Sequence, residues 1–389
     1  MSALRELLEI AARHRWYQAA NGGNRLADWP ILTKAELNRR LATARRDSDG
    51  RGGVYYSRSG GTTSGQPVYV PADIAENHEQ RRRLARRLAV DGVLSPRTVA
   101  LNVAPMVRMY RTLEIFSELC ECCGATVLPM AAIADDREIH EHAALFAADT
   151  LFGMPSRLLA FARSVRENGW SCPVDTVVFG GEPLQAGKRR FLREVLGVKR
   201  FSGIYGSAEL GVVAWQMSEA PVYQFPRDIV HMEIVGPDAD GFGSLVATNV
   251  VRRRFPLVRY QTGDVGRVVA EGPETVSIEL RGRQNASFLI GDDFLVLADF
   301  TDLFQDFAEF QIQLRFDEGL HKDVIRFCLN AGGRQLDPQE RSVLTGGIND
   351  LLDNREALYA TEVAFVGPEG LVRSRETLKT PAVVDLRGR

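Results

Sequence analysis

The middle of the chain alternates short apolar runs with amphipathic stretches, and this pattern constrains the fold more than any other feature. Between about residues 98 and 215, five runs predict strands: RTVALNVA, ATVLPM, DTLFGM, DTVVFGG and KRFSGIYG. The stretches between them, such as PSRLLAFARSVREN and GKRRFLREVLG, predict helices. Because alternating strands and helices favour parallel strand neighbours, this region is expected to be an α/β domain with a largely parallel sheet.

The sequence pattern changes after about residue 220. The runs HMEIVG, GSLVATNV, GRVVAE and TVSIELRG are short and separated by Gly, Pro and Asp, which indicates an antiparallel or barrel-like part over about 220–282. A last segment, 286–389, has strands of its own and a helix near 338–353, and it is long enough for a small α+β domain. We therefore expect a large domain over 1–282, a hinge at 283–285 and a small domain over 286–389.

Composition excludes several classes of protein. The chain of 389 residues has a formal net charge of −2 and 45% apolar residues, so no overall field favours nucleic acid or a membrane surface. Its five cysteines and its start, which lacks the features of a signal peptide, predict a cytoplasmic location. Basic residues at 81–87 keep RNA binding as a minor alternative to a solvated helix face. A homodimer stays open.

A loop rich in glycine and hydroxyl side chains separates two strand-like segments near the front of the chain. Residues 55–70 read YYSRSGGTTSGQPVYV, with SGGTTSGQP at 59–67. Backbone N–H groups of a glycine-rich turn can converge on an anion, and serine and threonine add donors. No Gly-Lys-Ser/Thr follows, so this is not a Walker A loop. The residues alone leave open a phosphate cradle and an ordinary flexible hairpin.

Three further polar motifs follow predicted strands. VVFGGEPL lies at 177–184, SGIYGSAELG at 202–211 carries Tyr205 and Glu209, and VRYQTGDVG at 258–266 adds a Thr-Gly-Asp turn. Because open α/β sheets bind ligands at the carboxyl ends of their strands, these motifs predict a shared site. The alternatives are a core tyrosine and a surface carboxylate that caps the following helix.

In order and approximate spacing, SGGTTSGQP, GGEPL, YGSAE, RYQTGD and RGR resemble the motifs of the adenylate-forming superfamily of acyl- and aryl-CoA ligases. PSRLLAFA, RYQTGD and RSRETLKTPAVVDLR are most similar to its phenylacetate-CoA ligase-like branch, and the resemblance covers about residues 30–389. The short front is similar to compact adenylating enzymes of phenazine-type antibiotic pathways. The resemblance implies a large N-terminal adenylate-forming domain of parallel-rich sheets and helices, with a barrel-like part, and a small mobile α+β C-terminal domain.

The resemblance also implies a reaction. A carboxylate attacks the α-phosphorus of ATP with Mg²⁺, pyrophosphate leaves, and the acyl adenylate passes its acyl group to a thiol such as coenzyme A. ATP and Mg²⁺ are the implied cofactors, with coenzyme A as a further one. Two alternatives stay open: an adenylating enzyme that serves a carrier protein or reductase without coenzyme A, and a degenerate nucleotide-binding protein without catalysis.

The implied phosphate and metal site includes three charged side chains. Glu209 would hold Mg²⁺, which prefers oxygen ligands. Lys379 would bridge the carboxylate and the α-phosphate as a compact cation, and Arg283 would reach the ribose or the phosphates; an exposed tail lysine and a solvated arginine are the alternatives. The departing phosphates would meet the loop residues Ser59, Gly60, Gly61, Thr62, Thr63 and Ser64.

The implied nucleoside site joins the other motifs. Tyr205 would stack on the adenine, and Asp264 would accept hydrogen bonds from the ribose hydroxyls unless it is an ordinary turn aspartate. The positions that border them in this implied site are Gly181, Glu182, Pro183, Gly206 and Ser207.

An aromatic carboxylate is the implied small-molecule partner. Apolar residues near the motifs are the pocket candidates, with simple core positions as the alternative: Met109, Tyr110, Phe152, Met154 and Ile204.

The chain departs from the family pattern at several positions. Ala208 stands where a hydroxyl residue usually precedes the glutamate, and Leu378 replaces the glycine before Lys379. The hinge reads Gln284-Asn285 without the customary acidic pair, which leaves the thiol half-reaction open.

Overall fold

The computed structural model describes most of the chain. The described residues are 3–17, 23, 25–44, 52–58, 69–106, 109–181, 184, 186–217, 219–283, 287–290, 293–296, 300, 303, 304, 307, 309–331, 335–352, 359–367, 370–372 and 383–387.

The front of the chain supplies helices and one hairpin. These elements are α1 (Ala3–Arg13), α2 (Lys34–Ala44), β1 (Val54–Arg58), β2 (Tyr69–Asp73) and α3 (Ile74–Val90). Helix α1 buries one apolar stripe, which includes Leu7, Leu8 and Ala11. Strands β1 and β2 pair antiparallel, so the segments on either side of the hydroxyl-rich loop are strands of one hairpin.

The predicted α/β region is confirmed. Its strands are β3 (Val99–Asn102), β4 (Thr126–Pro129), β5 (Thr150–Gly153), β6 (Thr176–Gly180) and β7 (Arg200–Ser207), and they run parallel in the order β4-β3-β5-β6-β7. The intervening helices are α4 (Thr112–Cys122), α5 (Asp136–Leu145), α6 (Pro155–Glu167) and α7 (Ala186–Leu196). All five carboxyl ends therefore lie along one edge of the sheet.

The antiparallel strands continue this sheet rather than standing apart from it. They are β8 (Gly211–Gln216), β9 (Val222–Pro226), β10 (Val230–Val235), β11 (Gly243–Asn249), β12 (Tyr260–Glu271) and β13 (Thr275–Arg283). Strand β8 pairs with β7 and β9, and β13 joins β9 to β12, which gives an 11-stranded mixed sheet. This continuity places the Thr-Gly-Asp motif of β12 in the same sheet as Tyr205.

The last part of the described chain forms a separate sheet. Its four strands have the order β18-β17-β16-β19, and a small hairpin precedes them. The elements are β14 (Ser287–Ile290), β15 (Asp293–Val296), β16 (Glu309–Asp317), β17 (Lys322–Asn330), α8 (Pro338–Leu351), β18 (Tyr359–Phe365) and β19 (Val383–Asp385). The α+β character expected for this segment is confirmed, whereas the hinge at 283–285 stays a prediction.

The core consists of three apolar clusters. One packs α1 to α4 against a face of the large sheet, and the second packs α5 to α7 against the opposite face. Successive strand residues alternate between them: Leu151 faces the second cluster and Phe152 the first. The third cluster contains only buried residues from Phe288 onward. Among the described helices, none is long and apolar enough to cross a membrane.

The basic helix α3 has both buried and exposed arginines. Arg81 is 1% exposed and pairs with Glu114 and Glu118 of α4. Arg87 pairs with Glu274. These two arginines therefore hold α3 against neighbouring elements.

Candidate active site

The Gly-Gly motif lies at the carboxyl end of β6. Gly180 stands opposite Ile204 of β7, and Gly181 follows with φ +78°. A Cβ on Gly181 would clash with the side chain of Met154. Glycine is favoured here chiefly by the backbone conformation, because the end of the flexible Met154 side chain could move away from a Cβ.

Tyr205 and Asp264 come together from distant parts of the sequence. The Tyr205 hydroxyl donates a hydrogen bond to Oδ2 of Asp264, with 2.5 Å between the two oxygens. The Tyr205 ring lies 5.8 Å from Tyr223 and 5.5 Å from Phe225, measured between ring centroids. Asp264 pairs with Arg283 across β12 and β13. Tyr205 is half-buried and bonded to a charged group, so it is not a simple core tyrosine.

Glu209 lies in a tight turn between β7 and β8, residues 207–211, which we call the Glu209 turn. Ser207 pairs with Gly211, and the Ser207 Oγ accepts a hydrogen bond from the Leu210 N–H at 3.1 Å. Glu209 is only 4% exposed, and the next element is a strand. The alternative of a surface carboxylate capping a helix is therefore wrong.

A lysine from the front of the chain faces this carboxylate. Lys34 Nζ lies 3.9 Å from Glu209 Oε1. Its position follows from Leu32, which forms a parallel bridge with Tyr260 of β12 and accepts a hydrogen bond from Gln261 N–H. The front segment thereby brings a cation to the Glu209 turn, a residue that the sequence analysis missed.

The hairpin that carries the hydroxyl-rich loop is attached to the Glu209 turn. The Ser57 hydroxyl, at the end of β1, donates to the Ala208 carbonyl oxygen at 3.4 Å. The two strands that flank the loop therefore begin and end beside the glutamate that the family resemblance assigns to the metal.

A buried polar network supports the Glu209 turn from beneath, and it consists of Asn77, Gln80, Asn249 and Arg252. The Arg252 guanidinium donates to the Glu209 carbonyl oxygen at 2.6 Å, and Gln80 donates to the Leu210 carbonyl at 2.8 Å. Burial lowers the pKa of the Arg252 guanidinium. This network was not predicted, and its one signal in the sequence is the arginine run at 252–254, separated by four residues from the RYQTGD motif that follows.

The five pocket candidates do not share one environment. Phe152 and Ile204 are core residues, 0% and 4% exposed, and Met154 is 9% exposed beside Gly181. Met109 and Tyr110 are 43% and 38% exposed. The rings of Phe116 and Phe152 lie 5.3 Å apart beneath the Gly180 backbone. Met154, beside Gly181, and Ile204, opposite Gly180, are thus the candidates next to the Gly-Gly motif, and the pocket assignment stays a prediction.

Several predicted site residues lie outside the described residues. They are the loop residues 59–64, the pair Glu182 and Pro183, and Lys379. Only the backbone of Arg283 is described. Their assigned roles stay predictions.

The donor chemistry of the turn suits a magnesium–nucleotide complex. Glu209 supplies carboxylate oxygens, and in the described part of the chain no three His, Cys, Asp or Glu side chains form a cluster that could hold a metal ion. Mg²⁺ is typically bound by one or two carboxylates together with substrate phosphates rather than by an all-protein cage. The residues present therefore fit an ion that arrives with the nucleotide.

The fold matches solved acyl-CoA ligases. The chain superposes on a crystal structure of 2-hydroxyisobutyryl-CoA ligase, in complex with its acyl adenylate and coenzyme A in the thioesterification state, with TM-score 0.72 and 17% identity, covering 99% of this chain and 88% of that one. The same ligase in the postadenylation state gives TM-score 0.63. The chain thus has the fold of this solved acyl-CoA ligase.

Sequence similarity adds curated relatives to this fold match. No family model matches the chain. Indoleacetate–lysine synthetase of Pseudomonas savastanoi is 26% identical over 243 residues, 60% of this chain and 59% of that protein. Phenylacetate-CoA ligase of Escherichia coli (strain K12) is 28% identical over 162 residues, 38% of this chain and 37% of that protein. The matches thus span less than two thirds of these curated relatives. In sequence the chain is similar to these ligases, which agrees with the resemblance to the phenylacetate-CoA ligase-like branch that the motifs predicted.

Proposed function

We propose that this protein uses ATP to activate an arylacetic acid as its acyl adenylate, with release of pyrophosphate. The observation that carries the proposal is a convergence of motifs. Tyr205 donates a hydrogen bond to Asp264, Glu209 follows in the same hairpin, and Ser57 joins strand β1, which precedes the hydroxyl-rich loop, to Ala208. The acid class rests on the relatives, whose names specify indoleacetate and phenylacetate.

The described residues divide the chemistry between them. Asp264 would accept hydrogen bonds from the ribose hydroxyls. Gly181 allows a ligand to approach the backbone at the end of β6. Glu209 would hold Mg²⁺, which when bound neutralises phosphate charge and assists the departure of pyrophosphate. Lys34 adds a positive charge near the same carboxylate. Positive groups are needed here because the attacking carboxylate and the triphosphate repel each other.

In the first step, one bond to the α-phosphorus forms and another breaks. A carboxylate oxygen of the acid forms a bond to the α-phosphorus, and the bond from the α-phosphorus to the bridging oxygen of pyrophosphate breaks. We further infer that 286–389 rotates about a hinge at 283–285 between the two half-reactions. This inference is supported by the separate core formed from Phe288 onward.

Acid-dependent exchange of radiolabel between pyrophosphate and ATP tests this proposal. We expect exchange with arylacetic acids and its loss in Glu209→Ala and Lys379→Ala. Asp264→Asn should raise the KM for ATP by roughly 10-fold or more, since a hydrogen bond to a charged group contributes about 1.5–3 kcal/mol. Nucleotide binding without exchange for any acid of a broad aryl panel would instead indicate a degenerate binding protein.

The acyl acceptor has two candidates. A thiol such as coenzyme A is supported by the phenylacetate-CoA ligases, whereas an amine is supported by the lysine synthetase, which aligns over the longer part of this chain. Incubation with ATP, the acid and either coenzyme A or lysine should yield a thioester or an amide. If hydroxylamine gives a hydroxamate while coenzyme A gives no thioester and lysine gives no amide, the result would point to a carrier protein or reductase as the acceptor.

A further inference from the structure

The Glu209 turn is supported by a buried cation whose described hydrogen-bond partners are neutral. Arg252 is 4% exposed and donates to the Glu209 carbonyl at 2.6 Å, Asn77 Oδ1 at 3.1 Å and Gln80 Oε1 at 3.2 Å. Buried charges are ordinarily paired with an opposite charge, because desolvation is otherwise expensive. The carboxylates of Glu76 and Glu209 act on Arg252 through space, but among the described residues its side-chain hydrogen bonds go to neutral oxygens. Such an arrangement costs stability, so its presence points to a role in positioning.

Gln80 extends the same support to the rest of the turn. Its amide, which is 0% exposed, donates to the carbonyl oxygens of Leu210 at 2.8 Å and Val212 at 2.7 Å. Asn249 donates to Gln80 Oε1 at 3.0 Å and to the Leu210 carbonyl at 2.9 Å. Three carbonyl groups in and beside the Glu209 turn, those of Glu209, Leu210 and Val212, are therefore fixed by side chains from α3, from the end of β11 and from the segment that follows it.

We propose that Arg252 and Gln80 are positioning residues that hold the Glu209 carboxylate in place for the magnesium–nucleotide complex. This inference rests on the proposed function. A ligand side chain must be held within about 0.5 Å of its productive position, and the groups that hold it are typically worth about 10–100-fold in metal affinity or activity. The network acts on the backbone of the turn and not on the carboxylate oxygens.

The chain offers a matched control in Arg157. This arginine is 7% exposed and donates to two loop carbonyls, those of Ala132 at 2.9 Å and Ala134 at 3.0 Å. Arg157 also pairs with Asp136 at 2.7 Å. Arg157→Gln and Arg252→Gln therefore both remove a buried guanidinium that holds loop carbonyls, and Arg157→Gln removes an ion pair in addition. Both variants should unfold at lower temperature than the parent protein.

The decisive readout is nucleotide binding without turnover. We would measure the affinity for α,β-methylene-ATP by calorimetry, with and without Mg²⁺, well below the unfolding temperature of each variant. Arg252→Gln should lose about 10–100-fold in affinity in the presence of Mg²⁺ and little in its absence. Arg157→Gln should bind as the parent protein does under both conditions.

A second variant keeps the test valid if Arg252→Gln fails to fold. Gln80→Glu preserves the side-chain shape and gives Arg252 a carboxylate partner, but it replaces two N–H donors with an acceptor that faces the Leu210 and Val212 carbonyls. It should show the same Mg²⁺-specific loss of affinity. A folded variant at either position with unchanged affinity, or with equal losses with and without Mg²⁺, would overturn the inference. A parent protein that binds no nucleotide would overturn the proposed function itself.

Discussion

Lys34 and Glu209 form an ion pair in which the carboxylate side chain is 5% exposed and the ammonium side chain 32%. Removing one partner of a fully buried pair costs about 3–5 kcal/mol, because the remaining charge stays desolvated. Since Lys34 reaches solvent, we expect Lys34→Met to lower the free energy of unfolding by about 1–2 kcal/mol. Urea unfolding of both proteins measures the change.

The matching double variant tests the cause. In the Lys34→Met background, Glu209→Gln removes the uncompensated charge, so the double variant should recover most of the lost stability. Strictly additive losses in this cycle would show that the two side chains do not interact.

At the scale of elements, the β7–β8 hairpin depends on a glycine. A Cβ on Gly206 would clash with the backbone carbonyl of Gly211, so Gly206→Ala should distort the Glu209 turn, abolish exchange and destabilise the fold. The control is Gly346→Ala in α8, where a Cβ meets open space. It should stabilise the protein by about 0.5–1 kcal/mol, as expected for alanine in a helix. Thermal unfolding of both variants, with opposite shifts, checks the prediction; shifts of the same sign would contradict it.

Sequence periodicity predicted most elements because each is encoded locally. Every predicted strand and helix between 98 and 215 is present, within a few residues of its expected bounds. Strands β8 and β9 were not predicted. For β8 the reason is that its sequence, GVVAWQ, directly follows the YGSAEL motif without a separate turn signal between the two. The polar network was beyond reach for a different reason: Gln80 and Arg252 meet across 172 positions, and no local pattern encodes such a contact. Likewise, a bridge at Leu32 brings Lys34 to the site.

At the scale of the whole molecule, the last sheet contacts helices α6 and α7, which pack in the second apolar cluster of the large sheet. Lys188 of α7, which is 0% exposed, donates to Asp323 Oδ2 at 2.7 Å, and Arg387 donates to the same oxygen at 2.9 Å. His321 stacks on Phe191 with ring centroids 3.9 Å apart. This contact would have to break if 286–389 rotates during the reaction cycle.

His321 makes this contact sensitive to pH. Burial, with a further contribution from Arg166, lowers the pKa of His321 below its ordinary value of about 6.5. The unfolded chain therefore binds this proton more readily than the folded one, so the contribution to stability is present above about pH 6.5 and is lost as pH falls through the lowered pKa. We expect the difference in unfolding free energy between the parent protein and His321→Gln to shrink between about pH 7.5 and about pH 5.5.

Urea unfolding at both pH values measures that difference. The pKa of His231 is also lowered by burial, but this group is present in both proteins and cancels in the comparison. A difference that stays constant with pH would contradict the assignment to His321.

The central claim is that a carboxylate oxygen of the acid attacks the α-phosphorus of ATP at this site. The most direct test uses an arylacetic acid labelled with ¹⁸O in its carboxyl group, together with ATP and an acyl acceptor, followed by mass spectrometry of the nucleotide products. The account predicts AMP that carries one ¹⁸O atom, because the acyl carbon–oxygen bond breaks in the second step. Unlabelled AMP, or ADP with the label in inorganic phosphate, would contradict it.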